Sequence, residues 1–192
     1  MTLNRLSLLV LTLCLGFSGC SSVLTAARDK PIEDDRGTRT FGSKIDDSLI
    51  ETKAAVNISK AHADLADGSH IVVTSYNGIV LLAGQTPRAD LKAMAEQAAA
   101  SVQRVKKVNN ELQVMAPSSL LARNNDAWLT TKIKSQMLTD ASIPGSRIKV
   151  VTENGIVFLL GLVTQDEANR ATSLVQGVSG VQKIVKLFEY ID

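Results

Sequence analysis

Tyr76-Asn-Gly-Ile-Val-Leu-Leu-Ala-Gly84 and Glu153-Asn-Gly-Ile-Val-Phe-Leu-Leu-Gly161 are one phrase written twice, 77 residues apart. In each copy an Asn-Gly pair stands between β-branched and apolar residues. That pair is the strongest short-range hairpin signal, because a type I′ turn needs positive φ at both central positions. The returning strand, Ile79 to Ala83 or Ile156 to Leu160, is nearly all apolar and reads as the central strand. The repeat extends outward. Asp47-Ser-Leu-Ile-Glu-Thr-Lys53 matches Asp126-Ala-Trp-Leu-Thr-Thr-Lys132 at an offset of 79, and Val102-Gln-Arg-Val105 matches Val178-Ser-Gly-Val181 at an offset of 76. Two small indels account for the drift. The chain is therefore expected to hold two units, 45–114 and 124–192, joined by a short linker, 115–123. A period this long with two copies means tandem domains, not a solenoid.

Each unit reads in the same order. An amphipathic helix opens it, with Asp46 or Asp47 in the first unit and Asn125 or Asp126 in the second as expected N-caps. A strand follows, His70 to Tyr76 or Arg147 to Thr152. After the hairpin, Gly84 or Gly161 is expected to end the returning strand. A second helix then begins at Thr86-Pro87 or Thr164-Gln-Asp-Glu167. Pro87 suits a first helical turn, and Thr164 with Glu167 forms a capping-box pattern. The last strand starts near Lys107 or Lys183. The expected fold class is α+β: two tandem αββαβ units, each a small three-stranded mixed sheet with two helices on one face.

Before the repeats stands a targeting segment. Arg5 supplies positive charge, Leu6 to Leu15 is apolar, and small residues follow. Residues 1–19 read as a signal peptide. An apolar run of that length falls short of the ~20 residues needed to span a bilayer. The segment ends Phe17-Ser18-Gly19-Cys20, which resembles the bacterial lipobox although Phe17 stands where Leu is usual. Cys20 is the expected lipid anchor, and Ser21 after it suggests outer-membrane sorting. Residues 20–44 read as the lipidated tether, with the mixed charge run 28–36 inside it. Each buried CH₂ contributes ~0.8 kcal/mol, and two or more acyl chains suffice for stable anchoring.

Composition narrows the function classes. Among 192 residues, 21 are Lys or Arg and 19 are Asp or Glu, so the net charge of +2 lacks the basic excess of a nucleic-acid binder. Two cysteines and two histidines argue against a disulfide scaffold or a metal centre. His62 and His70 lie near Asp64 and Asp67, but without the i, i+4 spacing of a helical metal site. No nucleophile elbow, phosphate-cradling loop or catalytic cysteine is present in the sequence. The expectation is a non-enzymatic protein with no catalytic residue, no cofactor and no metal.

The αββαβ order, the Asn-Gly-x-Val-x-Leu-x-Gly strand and the Val-x-x-Val step resemble the BON domain family. Two such units behind a lipobox resemble its dual-domain outer-membrane lipoproteins. The stretches Asn125 to Leu138 and Thr152 to Thr164 carry the closest likeness. The resemblance implies a periplasmic protein on the inner leaflet of the outer membrane that supports membrane integrity. It also implies binding of anionic phospholipids by the second domain and enrichment at division sites.

Helix geometry is compatible with that implication. At about 100° per residue, with Trp128 at 0°, Leu129, Ile133 and Met137 fall at about 100°, 140° and 180° and make one core stripe. Trp128 and Leu138 project off this stripe, among Lys132 and Lys134. No acid lies between Ala127 and Thr139. Trp suits a membrane interface, being apolar with a polar N–H, and each nearby Lys adds about 1 kcal/mol at an anionic surface. Trp128, Lys132, Lys134, Leu138 and Gly161 are the candidate phospholipid-binding residues, with Gly161 placed at an edge near the second helix. Arg147 and Lys149 read as a solvated strand face that could extend the basic surface. In the first unit Leu49 replaces Trp128, Ala55 replaces Lys134 and Glu51 replaces Thr130, so that helix has less basic character and no aromatic at these positions. Two alternatives stay open. Trp128 could instead pack against the other domain or the linker, or the same patch could bind envelope-assembly or division proteins.

Overall fold

The computed structural model describes residues 36–192. The signal segment, Cys20 and the leader as far as residue 35 lie outside the described residues.

Both hairpins form as read. Strand β1 (His70–Tyr76) pairs antiparallel with β2 (Ile79–Thr86), and the register closes at Tyr76 opposite Ile79. Asn77 and Gly78 between them have φ of 53° and 79°. In the second unit β5 (Ile148–Glu153) pairs with β6 (Ile156–Val163), and Asn154 and Gly155 turn at φ of 51° and 74°. A helix then crosses over to a parallel strand. It is α3 (Ala89–Ala100) leading to β3 (Lys107–Asn110) and β4 (Gln113–Val114) in unit one, and α5 (Gln165–Gln176) leading to β7 (Lys183–Tyr190) in unit two. Each unit is thus an α+β sheet with its central strand in the middle. In unit one the third strand is split at Glu111 and Leu112, whose side chain turns into the core.

Five expected boundaries move. The leading helices start earlier, as α1 (Phe41–Ala61) and α4 (Leu120–Thr139), capped by the hydroxyls of Thr40 and Ser119. The expected caps Asp47 and Asp126 sit in the second turn instead, buried and facing the sheet. Each carboxylate accepts the two backbone N–H groups of its unit's Asn-Gly turn: Asn77 and Gly78 at 2.8 and 2.9 Å, Asn154 and Gly155 at 2.7 and 2.9 Å. The helix is thereby bolted to the hairpin. Strands β2 and β6 run two residues past Gly84 and Gly161. A Cβ on Gly84 would come within 2.0 Å of the His70 carbonyl oxygen, so this glycine permits close strand approach rather than ending the strand. Because β2 reaches Thr86, Pro87 precedes α3 and Arg88 takes its N-cap position. The Thr164–Glu167 capping box is present as expected.

The central strands explain why they read as continuously apolar. Val80 and Leu82 face α1 and α3, whereas Leu81 and Ala83 face the other sheet. Val157 and Leu159 face α4 and α5, whereas Phe158 and Leu160 meet Leu81 and Ala83. Strands buried on both faces lose the alternating pattern. The layers therefore run helix, sheet, sheet, helix, and α1 and α4 lie on opposite outer faces.

The seam between the sheets is edged with polar contacts. Tyr76 Oη donates to the Arg147 carbonyl at 2.6 Å, and Lys149 Nζ donates to Glu51 Oε1 at 2.6 Å. Asn77 Nδ2 donates to Glu189 at 2.9 Å, and Asn154 Nδ2 donates to Gln113 at 3.1 Å. At the other end His70 Nε2 lies 3.4 Å from Glu153 Oε2. Burial and the nearby Asp126 charge, opposed by Arg123, push the Glu153 carboxyl up to about 7. Burial and the Arg123 charge hold His70 below its ordinary value, against Asp126. The folded protein therefore keeps a proton on Glu153 that the unfolded chain has released. His70 acts in the opposite sense, and because its unfolded-state imidazole is half protonated at about pH 6.5 it offsets part of the effect there. Between pH 6.5 and 8 the Glu153 effect exceeds this offset, and stability is expected to fall by about 0.5 kcal/mol. Urea unfolding at the two pH values should show this fall in the wild-type chain and its absence in Glu153→Gln.

Candidate lipid-binding helix

Helix α4 carries most of the candidate site, and its two faces differ. Asp126, Leu129, Ile133 and Met137 point inward and are buried. The outward face also carries large apolar side chains, among polar ones. Trp128 is 56% exposed and Leu138 is 65% exposed. The apolar contact between the two sheets is made by Tyr76, Leu81, Phe158 and Leu160, without Trp128. Lys132 lies over the Trp128 ring with Nζ 4.9 Å from its centroid, a cation–π arrangement. Lys134 is exposed on the same helix.

Two exposed threonine hydroxyls of the helix bond back to its own carbonyls. Thr131 donates to the Ala127 carbonyl at 2.9 Å, and Thr139 to the carbonyls of Gln136 and Ser135. The inward acid, Asp126, is occupied by the turn. Asp140 lies just beyond the helix, where bonds from the Ser142 hydroxyl and amide hold its carboxyl below the usual range.

Two residues escaped the sequence reading. Leu120 and Leu121, assigned there to the linker, form the first turn of α4 and are exposed. Leu121 stands one heptad before Trp128, a rotation of about 20°. Leu120 stands 18 residues before Leu138, which is five turns, so the two share one azimuth about 27 Å apart. Extending the helical projection back to Ser119 would have found both.

Three other expectations change. Gly161 is buried inside β6 opposite Ile148, where a Cβ would meet the Arg147 carbonyl oxygen at 2.9 Å. It has no outer surface to present to lipid, and its smallness serves strand approach. Arg147 is held by the Leu162 carbonyl at 3.2 Å and by an ion pair to Glu167. Lys149 is committed to Glu51 across the seam. Neither arginine nor lysine extends a free basic surface. His62 caps the short α2 (Ala63–Ala66) by accepting from the Asp64 amide at 3.0 Å. Among the described residues no group of His, Cys, Asp and Glu is arranged to hold a metal ion, and no helix is long and apolar enough to cross a membrane.

The chain is similar in sequence to several known proteins. An outer membrane lipoprotein, DolP, of Haemophilus influenzae is 38% identical over the full length of both chains. A 21 kDa hemolysin of Actinobacillus pleuropneumoniae is 35% identical over 80% of this chain and 78% of its own. The osmotically-inducible protein Y of Escherichia coli is 30% identical over 78% of this chain and 75% of its own. The BON domain pattern matches residues 46–116 and again 125–192, which are the two units described above. The chain belongs to the BON domain family and carries two copies of that domain.

Proposed function

We propose that the protein is a non-enzymatic lipoprotein of the outer membrane that supports membrane integrity by docking α4 on anionic phospholipid. Full-length similarity to an outer membrane lipoprotein supports the envelope placement. Lipidated Cys20 tethers the chain to the inner leaflet, and enrichment at division sites belongs to the same reading. One observation carries the lipid contact. The outer face of α4 presents Leu120, Leu121, Trp128 and Leu138 to solvent beside Lys132 and Lys134, and no acid lies between Ala127 and Thr139. A helix with apolar side chains on its exposed face and lysines beside them lies in the membrane interface plane. Trp128 and Leu138 enter the headgroup layer, and the lysines meet phosphate.

Trp128 is the only tryptophan, so it reports this contact from a single source. The chain beginning at Ser21 is titrated with phosphatidylglycerol and with phosphatidylcholine vesicles. A blue shift is expected with the anionic vesicles alone, and it should weaken as salt rises from 0.05 to 0.5 M, as screening requires. No shift with either lipid would transfer this face to a protein partner.

A further inference from the structure

The first unit has its own unpartnered helix face. On α1, Phe41, Ile45, Leu49 and Val56 are all exposed, Phe41 at 80%. At about 100° per residue they fall within about 80° of one another, opposite the buried Ile50, Ala54 and Ile58. From its sequence this helix looks mixed in charge, with Asp46, Asp47 and Glu51 against three lysines. The fold removes the acids from play. Asp46 pairs with Arg104, Asp47 with Arg39 and the hairpin turn, and Glu51 with Lys149. Lys44, Lys53 and Lys60 are exposed and have no ion-pair partner among the described residues.

Beside this ridge runs a groove. It lies between α1 and residues 103–106, with about 400 Å³ of space bordered by Ser43, Ile50, Arg104, Lys106 and the two acids Asp46 and Asp47, which are paired with Arg104 and Arg39. A smaller recess of about 170 Å³ continues it past Leu49 and Lys53. Arg104 holds φ of 72°, whereas the equivalent residue of unit two, Gly180, takes φ of 100° with no side chain to strain. A strained non-glycine residue held at a cleft is a marker of function. Here it sets a guanidinium on the groove wall.

We propose that this ridge and groove are a docking surface for an acidic segment of another protein that also carries apolar side chains. Free lysines around an apolar ridge complement acidic and apolar side chains together. A segment with protruding side chains fills a groove, which a flat bilayer leaves empty. The orientation agrees and rests on the α4 reading: α1 is on the opposite outer face, so with α4 on lipid it points away from that membrane.

The test places a benzophenone amino acid at position 49 of the full-length protein in the cells that make it. Irradiation is expected to give a protein adduct. Mass spectrometry of the adduct should place the crosslink in a segment of net negative charge. A synthetic peptide of that segment should bind the purified chain and lose at least tenfold in affinity in Lys53→Glu/Lys106→Glu. The same double variant should keep the Trp128 blue shift with anionic vesicles, which reports an intact fold and an intact α4. An adduct with phospholipid, with a second copy of this chain or with a segment lacking acidic residues overturns the proposal, as does no adduct or a peptide indifferent to the charge reversal. Loss of the lipid shift in the wild-type chain with the acidic adduct intact overturns the α4 reading alone.

Discussion

Asp47→Ala is expected to destabilise the protein by about 4 kcal/mol. Its Oδ1 accepts from the Ser75 hydroxyl at 2.7 Å and the Gly78 amide at 2.9 Å, and its Oδ2 accepts from the Asn77 amide at 2.8 Å and Arg39 at 2.6 Å. Hydrogen bonds to a charged group contribute about 1.5–3 kcal/mol each, and buried donors left without an acceptor cost more than the lost bond alone. A domain with a total stability of about 5–15 kcal/mol feels such a loss at once. With an m-value near 2 kcal/mol/M, the urea midpoint should fall by about 2 M. The same carboxylate sets part of the acid limit. Burial alone would raise its pKa, but the bonds from Ser75, Gly78, Asn77 and Arg39 outweigh burial and hold it below the ordinary 3.8. Its contribution is therefore present above about pH 4 and is lost as pH falls through 3.8 and below. Asp47→Ala should lack this acid limb. A midpoint within 0.5 M of wild type would mean that the turn holds its shape without the bolt.

Leu138→Asp is expected to weaken binding to anionic vesicles about a hundredfold, with little change in stability. Leu138 is exposed, so the free protein loses no packing. At the lipid surface the change removes a side chain whose burial contributes about 1.5–3 kcal/mol and adds a repelled charge worth about 1 kcal/mol. A total near 3 kcal/mol is about two decades in affinity. The variant keeps Trp128, so the same fluorescence titration reads the result. Lys132→Glu should weaken binding less and should flatten the salt dependence. Binding unchanged in Leu138→Asp would move the lipid contact off α4.

Local chemistry was legible in the sequence, and long-range chemistry was not. The Asn-Gly hairpins were readable because two adjacent residues determine them. The outward position of Trp128 was readable because helix rotation is fixed by counting. The helix starts were missed because Asp47 and Asp126 satisfy two patterns at once. A short acid before an apolar run looks like an N-cap, yet here its partner is a turn 28 to 31 residues away. Glu51 and Lys149 looked like surface charges because 98 residues separate them. Gly161 was read as a strand end because a glycine inside a strand and one after it look alike until the neighbouring carbonyl is in place.

The seam between the sheets has a further meaning. Asn77 reaches position 189 and Asn154 reaches position 113, and these are equivalent places in the two repeats. Tyr76 meets the Arg147 backbone while Glu153 meets His70, again equivalent pairs. Reciprocal contact of this kind is the mark of a two-fold homodimer. The chain is such a dimer closed into one molecule. Pairing of its halves no longer depends on concentration, because each finds the other at the effective molarity of a short linker. Covalent closure also releases the halves from identity. In a true homodimer any change is made twice, so a tryptophan on one outer helix appears on both. Here each outer helix can change alone, and one molecule can present two different outer surfaces on its opposite sides.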